Sequence, residues 1–210
     1  MLADEEQHML SFGARTSQRG FSLIEIVVTI AVLSMLLFAA MPSIGAWMDN
    51  TRIRNVADSL QNGLQVARGE AVRRNEEVSL WLVALEDPSQ LDNQCTLSST
   101  SGSWVVSVFS PFRHCADPVS AIDAPRIVTG RPVGENGARV VVSAVAADST
   151  AATTITFNGF GRVTNAGAIR QIDVSGASDS SRNLRIVVSA AGQVRLCDPH
   201  VTDTKDPRLC

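Results

Sequence analysis

Hydrophobic positions fall into three regimes along the chain. From Phe21 to Met41 nearly every residue is apolar, interrupted only by Ser22, Glu25, Thr29 and Ser34. At about 1.5 Å per residue, a helix of this length spans the roughly 30 Å hydrocarbon core of a bilayer. Beyond Pro42 the apolar positions narrow to a stripe, with Ile53, Val56, Ala57, Leu60, Leu64, Ala67 and Ala71 recurring at three- and four-residue steps. That spacing is one face of an amphipathic helix. Arg52, Arg54, Asp58, Gln61, Arg68 and Glu70 fill the other faces and are expected to be solvated. Together the two regimes predict one long helix over about 22–74, in spite of Gly45, Gly63 and Gly69.

The third regime is a series of short runs rich in Val and Ile, broken by Gly, Asn and Ser, which read as strands. They cover 78–85, 104–109, 126–129, 138–146, 153–157, 169–174, 184–189 and 193–196. Their spacing implies antiparallel hairpins packed on one helix, an α+β layer. Two hairpin turns look alike, Phe157-Asn158-Gly159-Phe160-Gly161-Arg162-Val163 and Val188-Ser189-Ala190-Ala191-Gly192-Gln193-Val194. In each a glycine, Gly161 or Gly192, is expected to supply the positive φ of the turn. The stretches 86–103 and 110–125, rich in Pro, Ser and Asp, read as long loops and candidate contact surfaces.

Glu25 contradicts its surroundings. A carboxylate at membrane depth costs roughly 2.5–3.5 kcal/mol on insertion scales, so a plain membrane anchor has no use for it. Residues 1–20 contain no hydrophobic core of a secretory signal. They form instead a polar leader with Arg15 and Arg19 close to the apolar run, so the only plausible cut lies ahead of that run.

Composition narrows the function classes. The 210 residues carry a formal charge of −3, which offers no global basic field to nucleic acid. Cys95, Cys115, Cys197 and Cys210 avoid C-x-x-C spacing, and an even count of this kind reads as two disulfides in an oxidising compartment, with three connectivities open. His114 and His200 lie near cysteines but lack ligand spacing, so no metal is expected. A Cys-His nucleophile at His114–Cys115 is disfavoured because adjacent side chains rarely face each other. No phosphate-binding loop, zinc-protease motif or dinucleotide fingerprint occurs, and neither an enzyme nor a cofactor is expected.

The stretch Arg19-Gly20-Phe21, a spaced Glu25 and the following apolar run resemble the prepilin signal of type IV pilins and their pseudopilin relatives. The resemblance implies that a prepilin peptidase on the cytoplasmic face cuts after Gly20 and methylates the new terminal residue, Phe21. Glu25 would then be the fifth residue of the mature chain and would meet the terminal amine of a neighbouring subunit during assembly. A buried carboxylate is tolerated when paired in this way. Pro42, able to kink a helix, falls where many such proteins have a proline. The organisation implied is a leader (1–20), a transmembrane and filament-core helix (21–42), its amphipathic half (43–75) and a periplasmic β-rich domain (76–210), anchored by a single pass in the bacterial inner membrane.

The two glycine turns resemble the C-terminal signatures of the GspH/FimT family, which holds minor type IV pilins and the minor pseudopilin of type II secretion. The fold implied is pilin-like, a long N-terminal helix on antiparallel sheet. The function implied is a minor pilin, cleaved and N-methylated, of FimT/FimU type, with a type II secretion pseudopilin as the alternative. Partners would be other minor pilins or pseudopilins. Joining each cysteine to its nearest neighbour in sequence gives Cys95–Cys115 and Cys197–Cys210, and a C-terminal disulfide loop is a habit of pilins.

Some members of this family bind DNA through a Gly-Arg-x-Arg element. Here that element reads Gly192-Gln193-Val194-Arg195, with the first arginine replaced. Arg162, Arg185 and Arg195 remain the candidate contacts, with Arg170, Arg182 and Arg208 available to the same patch, but Asp173, Asp179, Asp198, Asp203 and Asp206 interleave with the basic residues and dilute any field.

Overall fold

One helix, α1, covers Leu23–Arg74. The computed structural model describes residues 20–176 and 182–210, so the leader ahead of Gly20 lies outside the described part. The helix ends on Asn75, which adopts φ 50°, a left-handed conformation that Asn tolerates at helix ends. The Glu76 N–H reaches the Ala71 carbonyl (3.2 Å) and the Asn75 N–H reaches Val72 (3.3 Å). This double bond pattern closes the last turn and satisfies carbonyls that would otherwise be orphaned. The chain divides into two compact units, one ending at Pro42 and the other Ser43–Cys210. Among the described residues no helix is long and apolar enough to cross a membrane; the apolar surface is described from Leu23 to Phe38, and the sequence extends it to Met41.

In the Ser43–Cys210 unit the strands form two antiparallel sheets. The first contains β1 (Val78–Ala84), β2 (Thr96–Leu97), β3 (Trp104–Ser107) and β4 (Ile127–Arg131), in the order β2-β1-β3-β4. After β5 (Val141–Val145), β6 (Thr154–Phe157) returns to the first sheet and pairs with β1, Leu80 lying opposite Ile155. The second sheet runs β5-β7-β8-β9, with β7 Gln171–Ser175, β8 Leu184–Val188 and β9 Val194–Cys197. Period-two burial marks its strands: Ile172 and Val174 on β7, and Ile186 and Val188 on β8, face inward.

The helical stripe is what these inward faces cover. Ile53, Leu60, Leu64, Ala67 and Ala71 are fully buried and share one core with Leu80, Leu82, Ile155 and Ile172. Gly63 lets the helix come close to the sheet, because a Cβ there would lie 2.8 Å from both Leu80 and the Trp104 ring. The Trp104 indole N–H is satisfied by Ser59 Oγ at 3.1 Å. A smaller core of Val83, Cys95, Val105, Cys115 and Ile127 lies on the other face of the first sheet, under the loops of 86–126.

Three expectations need correction. The run read as a strand from 138 begins only at Val141, because Gly137–Arg139 form a 3-10 turn. Gly137 is pressed against Val133, where a Cβ would come within 2.6 Å, and this fixes the backbone there. The 86–103 loop contains a short strand, β2, held by Val83 and Ala84 of β1. Arg68 is not merely solvated, since its guanidinium is bonded to a distant turn.

Candidate functional site

The N-terminal segment is the first candidate. Leu23 and Phe38 are 83% and 76% exposed, and the large apolar residues described between them are exposed on every face of the helix. Two of the polar interruptions are satisfied within the helix: Thr29 Oγ1 donates to Ile26 (2.8 Å) and Ser34 Oγ to Ile30 (2.7 Å). Such bonds let a hydroxyl sit in an apolar setting at little cost. Glu25 is different. It lies in the first turn, where its charge suits the helix N-terminus, and among the described residues its carboxylate has no hydrogen-bond or ion-pair partner. Gly20 and Phe21 precede the helix and are exposed. Pro42 lies within the range of α1.

The two glycine turns form the second candidate, and they meet. Gly161 has φ 70° and Gly192 φ 80°, the region that L side chains avoid. A Cβ on Gly192 would fall 1.9 Å from the Gly161 carbonyl oxygen. The Val163 N–H donates to the Ala190 carbonyl at 3.2 Å, joining one turn to the other. Arg68 Nε donates to the Gly161 carbonyl at 3.1 Å, fastening both to α1. Asn158 Oδ1 accepts from the N–H groups of Phe160 (3.0 Å) and Arg162 (3.1 Å). Gly159 abuts the helix end, where a Cβ would come 2.3 Å from Asn75 Oδ1. These signature residues therefore lock the second sheet to the C-terminal end of α1. Sequence reading found the two turns but not their contact. Asn75, a typical helix-ending residue, was the available clue to where they would dock.

The candidate DNA contacts are not gathered into one free patch. Arg185 Nε donates to Asp173 Oδ1 at 2.6 Å, across the register pair of β7 and β8. Arg195 Nη2 donates to the carbonyls of Leu209 (2.8 Å) and Cys210 (2.9 Å). Arg162 is exposed on its turn. The cysteines are joined Cys95–Cys115 and Cys197–Cys210, with Cα separations of 6.2 and 5.1 Å. The second bond pins the C-terminal tail, which also pairs through the Asp198 N–H to the Arg208 carbonyl at 2.8 Å. Among the described residues no group of acids, histidines and cysteines is placed to hold a metal ion.

An exposed apolar N-terminal helix with a lone carboxylate, continued into a two-sheet domain, defines the class of type IV pilin-like subunits: minor pilins and pseudopilins. The chain belongs to the GspH family, whose model, described as type II transport protein GspH, matches residues 56–192. Residues 15–41 match the prokaryotic N-terminal methylation motif, which implies a membrane-anchored pilin. The family is one of structural pilins and pseudopilins. No match emerged among curated protein sequences. Two crystal structures of the type IV minor pilin FimU of Pseudomonas aeruginosa (strain PAO1) are similar to this chain. The P21 form is 15% identical, covering 71% of this chain and 91% of that one, with a TM-score of 0.43. The P65 form is 16% identical, covering 68% and 90%, with a TM-score of 0.39.

Proposed function

We propose that the chain is a minor pilin incorporated in, or priming, a type IV pilus through its N-terminal helix. The observation that carries this reading is the surface from Leu23 to Phe38, apolar on every face and exposed, with Glu25, which has no partner among the described residues, in its first turn. Such a surface needs an external cover. Lipid supplies it first, and the helices of neighbouring subunits supply it in the filament. On this reading prepilin peptidase removes residues 1–20, the new terminal Phe21 is N-methylated, and Glu25 pairs with a neighbouring subunit's terminal amine. The chain resides in the bacterial inner membrane as a single pass. Ser43–Cys210 then lies in the periplasm, where two disulfides persist. The C-terminal disulfide loop favours the pilus. The description of the matching family model favours a second reading, a minor pseudopilin at the tip of a type II secretion pseudopilus.

DNA uptake ranks behind both. Arg185 and Arg195 are engaged by Asp173 and by the tail carbonyls, and Gln193 supplies no charge, which supports weak or no DNA binding.

The test is Glu25→Ala in the full chain. Removing a charge from the apolar run leaves membrane insertion intact, whereas recovery in sheared filaments is expected to fall several-fold. Equal recovery of mutant and parent would sink the pairing. Intact mass of the membrane-bound chain is expected to correspond to a start at Phe21. Deletion that blocks export of a secreted protein while pili still form would select the secretion reading.

A further inference from the structure

The second sheet and α1 enclose a groove of about 450 Å³ whose lining mixes two chemistries. Leu184 and Leu196 contribute apolar surface, and Trp47 stands at the groove 68% exposed. Arg54, Arg182 and Arg208 also line it, against one lining acid, Asp198. The Arg182 backbone N–H donates to Asn50 Oδ1 at 2.9 Å, which places this arginine beside the Trp47–Arg54 stretch of the helix.

We propose that this groove, through Trp47, Arg54 and Arg182, seats an anionic phospholipid headgroup, holding the Ser43–Cys210 unit against the membrane surface before assembly. The proposal rests on the membrane-anchored pilin reading above. Two observations support it, the position of Trp47 and the charge of the lining. Trp47 is the sixth residue after Met41, the last of the apolar run, so whatever path the chain takes it lies within roughly 20 Å of that run's end. Tryptophan concentrates at that depth because its ring is apolar and its N–H is polar. Of the three lining arginines, Arg54 and Arg182 have only loose acid partners and remain open to a phosphate.

The acids that hold these arginines do not close the site. Arg54 lies 3.6 Å from Asp58 and Arg182 lies 3.8 Å from Asp198, both longer than a hydrogen bond, and all three arginines are half or more exposed. Only Arg208 is tightly paired, with Asp206 at 2.7 Å. Loose surface pairs contribute little and are readily exchanged for the forked hydrogen bonds that a guanidinium gives a phosphate. Each arginine near an anionic surface strengthens occupancy roughly 5-fold.

The experiment uses the full chain reconstituted in vesicles of phosphatidylcholine alone or with a quarter phosphatidylglycerol. Trp47 emission is isolated by subtracting the Trp47→Phe spectrum, and hydrogen exchange is followed over 45–54 and 182–210. With phosphatidylglycerol the Trp47 emission is expected to shift to the blue and exchange to slow several-fold, and molar salt is expected to reverse both. Arg54→Gln with Arg182→Gln should abolish the effect, whereas Arg162→Gln, outside the groove, should retain it. Equal behaviour in both vesicles, or insensitivity to salt, overturns the headgroup assignment. Inorganic phosphate reproducing the protection in phosphatidylcholine vesicles also overturns it, showing a free-anion site. Filament recovery is scored separately: its absence in the parent faults the pilin reading, whereas loss of lipid-dependent protection alone faults only this inference.

Discussion

The two halves of α1 share one backbone conformation and differ in everything their side chains meet. Between Leu23 and Phe38 the apolar residues surround the helix and stay exposed, whereas Ile53, Leu60 and Leu64 form a stripe at 0% exposure under two sheets. Helix propensity does not distinguish them; the width of the apolar surface does. A stripe is satisfied by one packed face, and this chain supplies that face from β1, β6, β7 and β8. An apolar cylinder cannot be satisfied by a domain on one side and calls for lipid or other helices around it. The difference separates what folding completes from what assembly completes.

The sharpest way to break the comparison is to make the same deletion in each half. Leu60→Ala removes a fully buried side chain from the shared core and is expected to destabilise the Ser43–Cys210 unit by about 2–5 kcal/mol. Leu33→Ala, in the exposed run, is expected to leave that unit's unfolding within about 0.5 kcal/mol, while lowering recovery in filaments. Denaturant melts followed by the fluorescence of Trp81 and Trp104 measure the first effect. A comparable loss from Leu33→Ala would show that the two halves share one cooperative unit.

A second substitution tests the lock that holds the second sheet to the helix. Gly192→Ala forces a side chain into φ 80° and into the Gly161 carbonyl. The expected cost is about 3 kcal/mol, near the upper end for one substitution. If the two turns merely lie near each other and can part, the melt will shift by less than about 1 kcal/mol.

Much of this architecture was legible in the sequence, and the limits have physical causes. The helix read over 22–74 is observed as Leu23–Arg74, because a continuous apolar run and an amphipathic stripe abut, and Pro42 between them lies within the helix rather than ending it. The positive φ at Gly161 and Gly192 followed from turn chemistry. The docking of those turns did not, since contact between residues 161 and 192 leaves no periodic trace. The same holds for β2, whose two residues are strand only because β1 pairs with them, and for Arg68, which sits at an ordinary solvent-facing position of the helix, off the apolar stripe. The lone Glu25 was conspicuous because it violates its surroundings. The groove at Trp47 was not, because its walls come from residues 47–54, 182–184, 196–198 and 208.

A smaller gain is available where the helix is free. Gly69 lies within α1 with nothing inside 4 Å of an added Cβ and no left-handed φ. Gly69→Ala is expected to stabilise the unit by about 0.5–1 kcal/mol, the helix-interior difference between the two residues. It therefore opposes Gly192→Ala in sign although the chemical change is identical. A destabilising Gly69→Ala would mean that this part of α1 is covered in the folded chain.

The smallest expected effect concerns charge at the end of the same helix. Both carboxylate oxygens of Glu70 accept hydrogen bonds from Arg73 (2.9 and 2.6 Å), and one also accepts from Arg74 (2.8 Å). The Arg73 hydrogen bonds, opposed by partial burial and aided by Arg74, hold the Glu70 carboxyl at about 2, below its ordinary 4.5. A folded-state value below the unfolded one gives stability that is complete above about 4.5 and is lost as the pH falls toward 2. Because the cluster is at the surface, its contribution is expected to stay under about 1 kcal/mol. Arg73→Gln should move the Glu70 midpoint back toward the ordinary range and flatten the acid limb of the stability curve between those two pH values. Carbon-detected NMR titration of the Glu70 carboxyl reads the midpoint directly. A midpoint unchanged by the substitution would assign the depression to Arg74, whose guanidinium is the more enclosed of the two.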